Sequence, residues 1–269
     1  MSVENPYLPP NSTNIAPNSA QSRLLAETPN YCSWGSGINW MKDGFGLFFK
    51  APGYLTVVSI VFLVLLITIS ILPIVSILSQ FVSPILSAGL IYACMRLDTE
   101  DQRKHSFLFI GFKQNLKSFL FLSLLYILGF IAIIVVIGIA GAVIVGFNQS
   151  SLDQLNQLSV PGNIPDPQFL LYLALAGLLG LLLMVPLFMG ILYAPALIIL
   201  NDLPARQAFS MSFKGCLKNM GALTVWSFLL IPVFILALIP LGLGLIVLPI
   251  LISCTLYFSY NAIFLAKED

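Results

Sequence analysis

The sequence predicts an all-α, polytopic membrane protein: six transmembrane helices arranged as three repeated units, each an interfacial amphipathic helix followed by a transmembrane hairpin. Three observations predict it. Hydrophobic residues make up 58% of the chain and charged residues 9%, where a soluble domain carries about 25% charged. The 12 Lys and Arg residues fall into four segments. The stretches between them, Ala51 to Met95, Ser118 to Leu152, Pro167 to Asn201 and Asn219 to Ala266, carry no charge at all. A charge at mid-bilayer costs about 2.5–3.5 kcal/mol on insertion scales, so deserts of this length read as lipid-embedded. The third observation is a set of markers that recurs three times, described below.

Taken in order, residues 1–35 are rich in Asn, Pro and Ser and are expected as a disordered cytoplasmic tail. They hold no apolar stretch followed by a small-residue cleavage site, so no cleavable signal peptide is expected. The NPYLPP at Asn5–Pro10 reads as a tether or as a docking peptide. Residues 36–269 form the transmembrane domain, in units of about 36–98, 104–202 and 205–266.

About 20 apolar residues cross the hydrocarbon core as a helix. The first desert fits two spans that turn between Pro73 and Pro84. Pro84 either starts the returning helix or breaks it within the membrane. The middle deserts each supply one span, Phe119–Phe147 and Phe169–Leu200, joined by the polar Asn148–Gln168 with a glycosylation sequon at Asn148. The last desert fits two spans that turn near Pro240–Gly244.

The positive-inside rule orients this bundle. Arg23, Lys42 and Lys50 precede the first span; Arg96, Arg103, Lys104, Lys113 and Lys117 follow the second; Arg206, Lys214 and Lys218 follow the fourth; Lys267 ends the chain. The opposite face receives only Asp153 and Asp166. Both termini are thus expected in the cytoplasm and the protein in the inner membrane of a bacterium.

Each unit opens on a Phe-Lys pair (Phe49-Lys50, Phe112-Lys113, Phe213-Lys214) and closes on a proline followed by a tyrosine: Pro84 with Tyr92, Pro186 with Tyr193, Pro249 with Tyr257. The first and third closures read PILSAGLIY and PILISCTLY. In the interfacial stretches Asn39–Lys50 and Ser106–Lys117, aromatic and aliphatic residues such as Trp40, Leu47 and Phe49 are expected to sink to the acyl boundary while lysines reach headgroups. Lys113/Lys117 and Lys214/Lys218 are i, i+4 pairs, each projecting from one helix face. Lys50, Lys113, Lys117, Lys214 and Lys218 are therefore the candidate lipid-headgroup contacts, either as plain anchors or as a recognition surface. Small residues in the third span (Gly138, Gly141, Ala142) and fourth (Ala176, Gly180) suit close helix packing, within the chain or between two copies.

Chemistry is sparse. No Asp, Glu, Lys, Arg or His falls inside a predicted span, which weighs against ion-coupled transport. His105 has no partners at metal or general-base spacing, and no nucleophile, zinc or phosphate-loop motif is present. Asp98, Glu100 and Asp101 read as a solvated turn that offsets the basic residues around it. Cys32, Cys94, Cys216 and Cys254 show no paired spacing and are expected as free thiols. No catalytic, cofactor-binding or metal-ligating residue is expected. A net charge of +1 gives no reason to expect nucleic acid.

The order of features resembles the YciC-like group of bacterial inner-membrane proteins and the membrane domain fused to some glycerophosphodiester phosphodiesterases. The residues behind the resemblance are Trp40-x-x-x-Gly44-x-x-Leu47-Phe48 with Pro52, Pro84-x-x-x-x-Gly89, and Pro195-Ala196-Leu197-Ile198 followed by Ala208-Phe209-Ser210-x-Ser212-Phe213-Lys214; the NPYLPP also fits. The resemblance spans residues 36–266 and implies six helices in an envelope setting. It carries no assigned activity, and this chain has no phosphodiesterase domain.

The expected function is non-enzymatic: binding membrane lipids or another envelope protein, with a homo-oligomer as a further option. The alternative is a transporter or permease subunit for an uncharged or lipid-like solute, and a third reading is the membrane subunit of a lipid-modifying enzyme. In intact cells, a cysteine replacing Ser159 should react with an impermeant maleimide; protection from that reagent would overturn the outer-loop assignment.

Overall fold

The computed structural model describes residues 24–71, 76–145 and 166–266. Arg23, Pro73, Asp153, Ser159, Lys267, the NPYLPP stretch and the Asn148 sequon lie outside the described residues. The described residues are helical apart from connections and one isolated β-bridge, Leu25 to Leu265.

Ten α-helices follow in order: α1 (Ser36–Lys50), α2 (Pro52–Ile71), α3 (Ser76–Glu100), α4 (Ile110–Lys113), α5 (Leu116–Val145), α6 (Pro167–Leu192), α7 (Ala194–Asn201), α8 (Ala205–Lys218), α9 (Met220–Leu238) and α10 (Leu248–Phe264). Short 3₁₀ turns precede α4 (His105–Phe109) and α10 (Leu243–Ile246). Five stretches are long and apolar enough to cross a membrane: Pro52–Ile71, Ser79–Glu100, Leu116–Ala142, Pro167–Asn201 and Met220–Leu238. Helix α10 is apolar but shorter, at 17 residues. That is about 25 Å of helix at 1.5 Å per residue, less than a hydrocarbon core of about 30 Å.

Helix α3 is the axis of the bundle. From Ile85 to Leu97 almost every side chain is buried, under contacts from α2, α5, α7, α10 and the first 3₁₀ turn. A Cβ on Gly89 would stand 2.6 Å from the carbonyl carbon of Leu108, so the glycine is what lets the 3₁₀ turn lie against the helix. Helices α2, α5, α6 and α9 instead expose large apolar side chains along their lengths, such as Ile67, Ile139, Leu182 and Phe234. Surfaces of this kind suit lipid, not water.

The prolines act differently from expectation. Pro84 neither starts nor breaks the returning helix: it lies inside α3, which runs unbroken for 25 residues. Pro186 likewise lies inside α6. The fourth span breaks instead at Tyr193, because Pro195 has no N–H to offer Ile191 and its ring crowds that carbonyl. At the break, the Ser212 hydroxyl of α8 donates to the Met189 carbonyl (2.7 Å) and accepts from the Tyr193 amide (3.1 Å), filling the gap left in the helical ladder.

Two expectations for the amphipathic stretches are corrected. Ser106–Lys117 is not one helix: the chain leaves α4 at Gln114 and Asn115 before α5 begins. Asn115 takes the left-handed conformation (φ 59°) and its Nδ2 donates to the Ile198 carbonyl (3.0 Å) and to Asp202 (2.7 Å). Asn tolerates that conformation better than most residues. Lys113 and Lys117 thus stand on different helices and share no face, whereas Lys214 and Lys218 both belong to α8. In α1, Trp40 and Leu47 are 3% and 4% exposed, packed into the protein core and not offered to acyl chains.

Residues 24–34, counted from sequence with the tail, form a strap across the end of α10. Ala26 donates to Phe264, Asn30 to Ile263 and Ala266 to Leu24, at 2.7–2.9 Å. The turn Leu241–Gly242, with φ of 53° and 78°, falls where the sequence places the last hairpin's turn. Its depth is unexpected. The Ser59 hydroxyl donates to the Ile246 carbonyl (2.5 Å), and α2 runs on from Ser59 to Ile71, about 18 Å of further helix. The returning segment of the last hairpin, just before α10, therefore meets α2 in its first half, at Ser59.

Gly44 sets the α1–α10 contact: a Cβ there would stand 2.9 Å from Thr255 Cα, whereas one on Gly46 would meet nothing within 4 Å. Gly44→Ala should lower stability by about 1–3 kcal/mol, and Gly46→Ala should raise it slightly. Unfolding in mixed detergent micelles would check both; equal effects would refute the packing assignment.

Candidate functional site

The three basic segments that fall within the described residues meet at one end of the bundle. Lys50 Nζ donates to the Leu97 carbonyl (3.2 Å) and lies 3.7 Å from Asp101. Tyr54 donates to the Lys104 carbonyl (3.1 Å), Asn115 reaches Asp202, and Tyr260 donates to Asn201. Lys218 Nζ donates to the Pro29 carbonyl (2.7 Å). These bonds draw the segments around α1, α3, α8 and the strap into a single polar face.

The acidic turn is absorbed within this face. Asp98 accepts from the Tyr257 hydroxyl (2.9 Å), Glu100 pairs with Arg96, and Asp101 pairs with Arg103 (3.2 Å). The Arg103 hydrogen bond, with Lys50 nearby, holds the Asp101 carboxyl below its ordinary range. Arg96 is 9% exposed, and its guanidinium lies 5.7 Å from the ring centres of both Tyr92 and Phe107. A buried Arg of this kind is carried by one carboxylate and two ring faces.

The tyrosines that close each sequence unit belong to the core. Tyr92, Tyr193 and Tyr257 are 6%, 1% and 0% exposed. Tyr193 donates to Ser259 (2.8 Å), and Tyr257 to Asp98 as above. Of the prolines paired with them, Pro84 and Pro186 lie within helices and Pro249 lies in the first turn of α10.

The candidate lysines divide into two groups. Lys50 and Lys218 are tied to backbone carbonyls. Lys113, Lys117 and Lys214 are exposed, and among the described residues their ammonium groups have no hydrogen bond or ion pair. Charge-bearing side chains left free on a polar face are the groups best placed to meet an anionic surface.

Sequence reasoning missed Asn219. It accepts from the Cys32 amide (2.7 Å), and its Nδ2 donates to the Asn30 and Gly215 carbonyls (2.8 and 3.0 Å), locking the strap to the start of α9. Its partners in the strap lie 187 and 189 residues away, a distance no local motif reports.

A cavity of about 670 Å³ opens sideways between α6 and α9, closed at the basic end by Cys216. None of the four cysteines stands in a disulfide, and Cys94 Sγ and Cys254 Sγ lie 3.1 Å apart in the core. Burial pushes the Cys216 thiol up to about 12, against a smaller opposing effect of the Ser212 hydrogen bond. At pH 8 only about one thiol in 10⁴ is then ionised. Native protein should therefore leave Cys216 unlabelled by a permeant maleimide, and labelling should appear only on unfolding; rapid native labelling would overturn this burial.

Compared with known proteins, the chain finds no counterpart: no family model, no curated protein and no solved structure matches it.

Proposed function

We propose that this is a multi-pass inner-membrane protein with six membrane-embedded helices in three related units, its polar face and both termini in the cytoplasm, which works by binding anionic lipids or an envelope partner and not by catalysis. The observation that carries this reading is that three of the candidate lysines, Lys113, Lys117 and Lys214, stand exposed and untied at one end of a bundle whose walls are apolar. A lysine near an anionic leaflet contributes about 1 kcal/mol. An approach to that leaflet fits the positive-inside distribution of the charges. Arg96 and Glu100 are paired with each other, and Asp98 and Asn219 are hydrogen-bonded to other parts of the fold.

The sideways opening between α6 and α9 also supports the alternative of a permease for a lipid-like solute, because such a solute enters from the bilayer. The two readings differ in consequence: a carrier moves its ligand between leaflets, a binding protein retains it.

Native mass spectrometry of the protein released from nanodiscs separates these outcomes. The expected result is a retained anionic phospholipid that is lost when Lys113, Lys117, Lys214 and Lys218 are changed to Gln. The reading fails if lipid retention is the same in both proteins, or if the purified protein alone turns over a substrate.

A further inference from the structure

The cavity between α6 and α9 has a shape that points to its occupant. On α6 its wall runs from Leu181 to Leu192, and on α9 from Met220 through Leu223 and Ser227 to Ile231. These residues recur every three or four positions, so each helix offers one continuous stripe. The helices run in opposite directions, and Leu192 and Met220 lie together at the end that Cys216 closes. Each stripe covers eleven residues of rise, about 16 Å, close to one leaflet of a hydrocarbon core about 30 Å thick. The volume falls within the range of about 300–1,000 Å³ typical of small-molecule sites.

Two further features bear on the headgroup end. Helix α8, which supplies Cys216, carries the exposed Arg206 and Lys214 besides Lys218, whose ammonium is held by the Pro29 carbonyl, and has no acidic residue. Its charge complements a phosphate and not a cation. Trp226 lines the cavity six residues into α9, about 9 Å from that helix's start. It is 6% exposed, and its indole Nε1 has no hydrogen-bond partner among the described residues. Trp226 thus marks the depth of the wall about one turn and a half below the basic end.

We propose that this cavity is a binding site for one anionic phospholipid drawn from the leaflet at the basic end. Its acyl chains lie between the stripes of α6 and α9, its ester region stands at the depth of Trp226, and its phosphate meets the untied Lys214 of α8. This site rests on the lipid-binding reading above and gives it a location.

The test uses the full chain carrying Trp34→Phe and Trp40→Phe, which leaves Trp226 as its indole. It is reconstituted in phosphatidylcholine vesicles containing a minor fraction of acyl-brominated lipid, either phosphatidylglycerol or phosphatidylcholine. The expected result is preferential quenching of Trp226 by the brominated phosphatidylglycerol, with an apparent association about fivefold higher than for phosphatidylcholine. Ser227→Phe, which fills the cavity, should abolish the preference, and Ser227→Ala should keep it. Equal quenching by both lipids means boundary lipid only and overturns the site. A preference that survives Ser227→Phe places the lipid elsewhere and also overturns it.

Native mass spectrometry of the same variants separates this failure from that of the broader reading. Lipid lost on lysine neutralisation but kept in Ser227→Phe removes the cavity and spares lipid binding. Lipid retained in neither the native protein nor any variant removes both.

Discussion

Every backbone amide and carbonyl that leaves a helix within an apolar surrounding must find its partner inside the chain, and this fold is organised around the places where that need arises. Where α6 ends under Pro195, the Ser212 hydroxyl stands between Met189 and Tyr193. Where the last hairpin turns, Ser59 takes the Ile246 carbonyl. Where α10 ends, Asn30 Nδ2 meets the Leu265 carbonyl (2.7 Å) and the strap amides meet those of the last turn. Each repair joins elements far apart in sequence, so satisfying the backbone also sets the tertiary arrangement. Losing one of these side chains leaves a buried group unpaired, at about 1–3 kcal/mol, besides loosening a contact between helices.

The same logic sorts the charges. Arg96, Asp98, Glu100, Lys50 and Lys218 are spent on holding the basic end together. Lys113, Lys117 and Lys214 are not, and that difference separates them from Lys50 and Lys218 in a sequence in which all the lysines look alike. A basic residue in a membrane protein's charged segment is thus either a fastener of the fold or an offering to the leaflet, and only the contacts distinguish them.

Much of the architecture was legible from charge spacing alone. The all-helical class, the long apolar helices, the convergence of the three described basic segments and the turn at Leu241–Gly242 all follow from where Lys, Arg, Pro and Gly fall. What escaped depends on partners remote in sequence. The i, i+4 spacing of Lys113 and Lys117 suggests one helix, but Asn115 between them is drawn into a left-handed turn by groups 83 and 87 residues away. Trp40 and Leu47 carry the composition of an interfacial stripe, yet Gly44 lets α1 close against Thr255, and the stripe faces protein. Composition reports that a face is apolar; it does not report whether lipid or another helix covers it. The candidate lysines were visible as residues, while their division into tied and free was not.

The contact of the last hairpin with Ser59 divides α2 into two unlike halves. At the level of the basic end, α2, α3 and α5 to α10 contribute, with α1, α4 and the strap packed among them. Helix α2 runs on about 18 Å beyond Ser59, in company with the long helices α3, α5 and α6. Its buried residues, Leu55, Val58, Ser59 and Phe62, all stand at or near the level where Ile246 meets it; from Leu63 to Ile71 none is buried. One helix thus has two trades: its first half is part of the protein's interior, and its second half is largely surface, whose side chains answer more to the surroundings than to the core.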